Sequence, residues 1–254
     1  MLFTIDIGNT NLTLGMFKGS DLVMRWRMAT NRDLMPDEYG MQFWFLFEHN
    51  GINPSEIDGI CISSVVPQIT ARVQDACDYY IKQPILSVSS EMSLGMKLNI
   101  DRPSELGNDR IVDMIATKYL YGFPACLIDF GTATTFNLID PSGDYIGGAI
   151  SAGVQTSAEA LFTKTAQLPN VNIQKPPHII GRNTVHSMQS GLIYGYVSMV
   201  EGMVKRFKKE VGPELKIIAT GGLSKIIAAE TDCIDEVNIW LTMTGLRLFW
   251  EMNQ

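Results

Sequence analysis

The chain has 254 residues, room for one large domain or two small ones. Hydrophobic residues make up 46% and charged residues 19%, enough apolar surface for a sizeable core and too little charge for wholesale disorder. Twenty Lys+Arg against 27 Asp+Glu give a net charge of −7, and no basic run exceeds Lys208-Lys209, which excludes a nucleic-acid-coating protein.

Targeting signals are absent from the pattern. The opening Met1-Leu2-Phe3-Thr4-Ile5-Asp6 has no basic region, and an acid interrupts its apolar run, so a cytoplasmic protein is expected. The longest aromatic run, Phe43-Trp44-Phe45-Leu46-Phe47, falls far short of the ~20 residues a membrane span needs. Cys61, Cys77, Cys126 and Cys233 show no C-x-x-C spacing, which favours reduced core thiols over zinc or disulfides. The expected partners are small molecules, with no nucleic acid and no membrane.

In chain order, Leu2 to Ile7 reads as a buried strand and Thr10 to Phe17 as a second, before a turn at Lys18-Gly19-Ser20. Leu22, Met24, Trp26 and Met28 alternate as a half-buried third strand. Pro36-Asp37-Glu38 opens a helix with Tyr39, Phe43, Leu46 and Phe47 on one face. Gly59 to Val66 is a strand closed by Pro67, Thr70 to Ile81 is helical, and Ile85 to Val88 is a short strand. A helix starts beside Asp109. The order then recurs: Ala125 to Phe130, Thr135 to Ile139 and Tyr145 to Ile150 are strands, with a turn at Pro141-Ser142-Gly143. Helices follow over about 154–166 and 184–208, then a strand from Lys216 to Thr220 running into Gly221-Gly222. A closing helix spans Leu241 to Met252.

The segments Asp6-Ile7-Gly8-Asn9-Thr10 and Asp129-Phe130-Gly131-Thr132-Ala133 therefore occupy equivalent places, 123 positions apart (129 minus 6). Each is a strand, an acid, a glycine turn, a hydroxyl-rich stretch and a strand. This predicts two similar α/β halves, 1–117 and 118–254, with a cleft between them.

A carboxylate at the end of a buried strand is costly unless something pairs with it. Backbone N–H groups after such a turn form a nest for phosphate oxygens, and the acid suits a hydrated Mg²⁺. The bland alternative for one copy is a plain hairpin turn; two copies point to a phosphate clamp. Gly221-Gly222 reads either as a close approach for an adenine ring or as an ordinary strand-to-helix turn. Asp109 reads either as an N-cap or as a carboxylate accepting a proton from an alcohol, with Arg110 holding an anion; from spacing alone the cap takes precedence. Thr184 reads as a cap or as part of a helix N-terminus for a substrate carboxylate. Gly191 and Gly195, four apart on the long helix, suit close helix packing, including against another subunit.

Together the segments resemble the type III pantothenate kinases of bacteria, in the acetate and sugar kinase, Hsp70 and actin superfamily. The resemblance runs in order through Asp6 to Thr10, Ser63 to Pro67, Gly107 to Arg110, Asp129 to Thr135 and Gly147 to Ile150. Ser157 to Leu161, Leu168-Pro169, Gly181 to Thr184, Gln189 to Gly191, Ala219 to Gly222 and Leu241 to Leu246 complete it. It implies two ribonuclease-H-like halves around an ATP cleft, and ATP-dependent phosphorylation of pantothenate to 4′-phosphopantothenate, the first step toward coenzyme A. It assigns the ATP phosphates to Asp6, Ile7, Gly8, Asn9, Thr10, Asn11, Leu12 and Thr13, with Thr132 contacting ATP from the second half. It makes Asp109 the proton acceptor, and Gly107, Asn108, Asp109, Arg110 and Thr184 the pantothenate contacts. It places Mg²⁺ by way of water near Asp6, and a monovalent cation, K⁺ or NH₄⁺, at Asp129. It also implies a homodimer whose site is completed across the interface by Thr184. Three positions depart from the family pattern: Ile100 stands where a substrate-contacting Tyr is usual, Asn137 where Asp is common, and Asn108 where Ala is common. The alternative class is a nucleotide-responsive regulator without kinase activity, but a pure switch does not need the acceptor-side carboxylate of Asp109.

Overall fold

The computed structural model describes all residues, 1 to 254, and divides them into two compact units. The first comprises Met1–Met96, Asp101–Ala116 and Thr242–Gln254; the second comprises Lys97–Ile100 and Thr117–Leu241. The closing helix, which chain order assigns to the second half, thus packs with the first unit.

In the first unit, β1 (Leu2–Ile7), β2 (Asn11–Lys18), β3 (Asp21–Ala29), β4 (Gly59–Ser64) and β5 (Ile85–Ser87) form a sheet in the order β3-β2-β1-β4-β5. β1 pairs antiparallel with β2 and parallel with β4. The odd-numbered residues Phe3, Ile5 and Ile7 point to one face and pack with α1 (Pro36–His49) and α2 (Pro67–Tyr80). Phe3 meets Phe43 and Phe47 edge-on at 5.6 and 5.1 Å, contacts each worth about 0.5–1.5 kcal/mol beyond their buried area. Both helices begin with proline at the first turn, where its missing N–H costs nothing. The opposite face is covered by α7 (Leu241–Met252): Met243 lies over Thr4 and Trp250 over Gly59. Asp6 points to this second face.

The second unit repeats the plan. β6 (Ala125–Phe130), β7 (Ala133–Ile139), β8 (Tyr145–Ala152), β9 (Lys216–Thr220) and β10 (Glu236–Val237) run in the order β8-β7-β6-β9-β10, the counterpart of β3-β2-β1-β4-β5 strand for strand. Cys126, Ile128 and Phe130 pack on α5 (Thr184–Val211), with α4 (Val154–Lys164) in a smaller adjoining core. Asp129 again points to the other face. The internal repeat read from the sequence is therefore a repeat of topology. Residues 97–100 lie along β8, where Leu98 bridges to Tyr145 and Asn99 N–H donates to Tyr145 O at 2.8 Å. The short helix α6 (Ser224–Ala228) and β10 are too brief to show a period, and the sequence does not announce them.

No helix is long and apolar enough to cross a membrane. Cys61, Cys77 and Cys126 are buried as small hydrophobes, and burial pushes the Cys126 thiol up to about 12.

Candidate active site

The two glycine turns are built alike but differ in length by one residue. After the Ile7–Leu12 pair, Gly8 N–H donates to Asn11 O at 3.0 Å and leaves Asn9, Thr10 and Asn11 exposed. After the Phe130–Thr134 pair, Gly131 N–H donates to Ala133 O at 3.1 Å and leaves Thr132 exposed. Each turn therefore presents exposed residues at the C-terminal end of a central strand, where anions bind in open sheets. The Thr132 carbonyl is held from behind by Gly153 N–H at 3.1 Å and by the Thr156 hydroxyl at 2.6 Å, so α4 braces the second turn.

Register gives each aspartate the same neighbours. Asp6 is paired with Thr13 on β2 and Ser63 on β4. Asp129 is paired with Thr135 on β7 and Thr220 on β9. Paired residues share a face, so each carboxylate sits between two hydroxyl side chains. The Ser63 hydroxyl is fully buried and has no partner, an oxygen left for a ligand shell at the Asp6 end. Both clusters are hard-oxygen sets that fit Mg²⁺ or an alkali cation and do not suit zinc. Asn137 is wholly buried; it donates from Nδ2 to Thr135 Oγ1 at 3.0 Å and accepts from the Tyr145 hydroxyl at 3.4 Å. It is thus tied into the side of the Asp129 cluster by hydrogen bonds that a neutral amide satisfies.

Asp109 is the second residue of α3 (Asn108–Tyr121). The Gly107 carbonyl accepts from Ile111 N–H at 3.1 Å, which makes Gly107 the residue before the helix and removes Asp109 from the cap position. Its Oδ1 accepts from Arg110 N–H at 2.7 Å, leaving Oδ2 for another partner. Burial raises its carboxyl above the usual range, against the lowering effect of that N–H and of the Arg110 guanidinium. A carboxylate held in place and made more basic by burial is what proton abstraction from an alcohol requires.

Within the first unit the structure brings this helix start to the same end of the sheet as the first glycine turn. Asn108 Nδ2 donates to Ser64 O at 3.4 Å, and the next residue, Val65, donates its N–H to Ile7 O at 3.1 Å. Asp109, Ser63 and the Asp6–Thr13 turn therefore share the C-terminal edge of β1 and β4. Thr184 lies in the other unit, exposed at the first turn of α5. The cap there is Asn183, whose Oδ1 accepts from His186 N–H at 2.8 Å. Ile100 is half-buried in the strip along β8, beside Gly147.

Gly221 and Gly222 divide the work that the sequence reads as one. Gly221 has φ +90°, and a Cβ there would overlap Asp129 Oδ1 and lie 2.7 Å from the N and C of Phe130. Gly222 is exposed, with nothing within 4 Å of its Cβ position. Ser63 and Thr220 escape sequence reasoning as neighbours of the aspartates because only strand register sets them there.

The family model for "Type III pantothenate kinase" matches residues 2–206. A type III pantothenate kinase of Roseiflexus sp. (strain RS-1) is 46% identical over 254 residues, covering 100% of both chains. Among solved structures, the (R)-2-hydroxyglutaryl-CoA dehydratase component A of Acidaminococcus fermentans matches with a TM-score of 0.54 at 10% identity, covering 99% of each chain. The inorganic polyphosphate/ATP-glucomannokinase of Arthrobacter sp. strain KM matches with a TM-score of 0.51 at 13% identity, covering 99% of this chain and 97% of its own. These two likenesses speak for the fold, and they agree with the duplicated five-stranded sheets. The full-length match speaks for more: the chain belongs to the type III pantothenate kinase family.

Proposed function

We propose that the chain transfers the γ-phosphoryl group of ATP to the primary hydroxyl of pantothenate, giving 4′-phosphopantothenate and ADP. The observation that carries this reading is Asp109: a half-buried carboxylate with a raised proton affinity, not spent on capping its helix, at the same sheet edge as a phosphate turn.

Asp6 to Thr13 cradle the ATP phosphates, mainly through backbone N–H groups, and Thr132 contributes from the second turn. Asp6, with Thr13 and Ser63 as neighbours, holds water around Mg²⁺, which supplies neutralisation of phosphate charge when bound. Asp129, flanked by Thr135 and Thr220, holds a monovalent cation, K⁺ or NH₄⁺. Asn108 and Arg110 line the pantothenate pocket, where the Arg110 guanidinium would meet an anionic group of the substrate.

As the pantothenate oxygen bonds to phosphorus, the bond from phosphorus to the ADP oxygen breaks, and the hydroxyl proton passes to Asp109 Oδ2. In a loose transition state there is little covalent work for the protein, and positioning and charge neutralisation supply most of the acceleration. The base contributes ~10²–10⁴-fold.

A homodimer completes the site, with Thr184 reaching pantothenate from a second copy of the chain. The exposed apolar side chains near the start of α5 support this: Ile179 and Ile180 are 63% and 78% exposed, and Phe162 on α4 is 47% exposed. The test is ADP release from Mg-ATP that depends on pantothenate and on K⁺ over Na⁺. Turnover indifferent to pantothenate would contradict the assignment.

A further inference from the structure

We propose that Gly107 is a positioning residue for the Asp109 carboxylate: what the reaction needs at 107 is the absence of a side chain. The inference rests on Asp109 as the proton acceptor and gives the glycine before it a role other than contact with pantothenate.

An ideal Cβ at residue 107 would lie 2.6 Å from Asp109 Oδ1 and 3.7 Å from its Cγ, with Val65 Cγ1 at an ordinary contact distance of 3.5 Å. That Oδ1 is the oxygen anchored by Arg110 N–H at 2.7 Å. Real Cβ atoms essentially never approach another atom within 3.0 Å, and seldom within 3.4 Å, so a methyl group would push the carboxylate back by about 0.4–0.8 Å. The displaced atom is the end of a side chain, not backbone.

The backbone itself accepts alanine. Gly107 is not among the glycines with positive φ, and its carbonyl keeps the Ile111 N–H whatever its side chain. A methyl group here therefore leaves the start of α3 intact and moves one functional group. Because Oδ1 and Oδ2 share a rigid plane, moving Oδ1 off Arg110 N–H also swings Oδ2 away from the acceptor hydroxyl. A 1 Å misplacement of a reacting group costs ~10²-fold, so a shift of this size costs roughly 10- to 100-fold in kcat.

The experiment compares wild type, Gly107→Ala, Asp109→Asn and the double variant in kcat, KM for pantothenate and denaturation midpoint. Gly107→Ala is expected to lose roughly 10- to 100-fold in kcat with KM changed less than about threefold and the midpoint unmoved. The double variant is expected to match Asp109→Asn within about twofold, because the glycine acts only through the carboxylate. A raised KM with kcat intact would overturn the proposal and leave Gly107 a pocket wall. So would a Gly107→Ala loss that persists undiminished on top of Asp109→Asn, or a Gly107→Ala chain that does not fold. Full turnover in Asp109→Asn alone would instead remove the base assignment, and Gly107's role with it.

Discussion

Replacing Gly221 by alanine and comparing it with Gly222→Ala isolates what the end of β9 does. At 221 the backbone has φ +90°, and left-handed conformations cost a side-chain-bearing residue about 1–2 kcal/mol. The new methyl group would also overlap Asp129 Oδ1 and press to 2.7 Å on the Phe130 backbone, an overpacking of about 1–3 kcal/mol. The sum, about 2–5 kcal/mol, corresponds to roughly 4–20 °C in melting temperature for a chain of this size. At 222 the methyl group meets nothing within 4 Å and no unusual φ is needed, so the change stays within about 0.5 kcal/mol. Thermal melts of the two variants beside wild type read the difference directly. Equal midpoints for the two would refute the claim that Gly221 is fixed by the Asp129 carboxylate and the β6 backbone.

Two further outcomes follow from the site. Burial raises the Asp109 carboxyl above the ordinary carboxylate range, and a base works only deprotonated, so kcat falls as pH drops through that raised value. The folded chain binds this proton before the unfolded chain does; the desolvation cost is fully present above the raised pKa and relieved in acid. A pH profile whose acid limb lies at the ordinary carboxylate pKa would contradict this. Asn137→Leu removes the donor to Thr135 Oγ1 and the acceptor of the Tyr145 hydroxyl inside a fully buried network, at a cost of about 1–3 kcal/mol; an unchanged urea midpoint would show the network to be idle.

Much of the plan was legible in the sequence because central strands covered on both faces write themselves as short continuous apolar runs. The strands carrying Asp6 and Asp129 share one burial pattern, buried throughout except at the acid, and that acid precedes a glycine turn both times. The repeat of strand order follows from the same pattern. Other features depend on facts that a linear reading lacks. Ser63 and Thr220 become neighbours of the aspartates only through parallel register with β4 and β9. The return of α7 to the first unit is tertiary packing of Met243 and Trp250, and an amphipathic helix does not name the sheet it covers. Asp109 looked like a cap because a carboxylate near a helix start usually is one; the Gly107–Ile111 hydrogen bond shifts the boundary by two residues and frees it. Gly221 and Gly222 are indistinguishable as letters and differ only in what a Cβ would strike.

The most direct measurement is ADP release from Mg-ATP in K⁺ buffer by wild type and Asp109→Asn, each with and without pantothenate. The account predicts release that requires pantothenate in the wild type and falls by ~10²–10⁴-fold in Asp109→Asn, while ATP still raises the melting temperature of both. Pantothenate-dependent release of equal rate in the two proteins would contradict it.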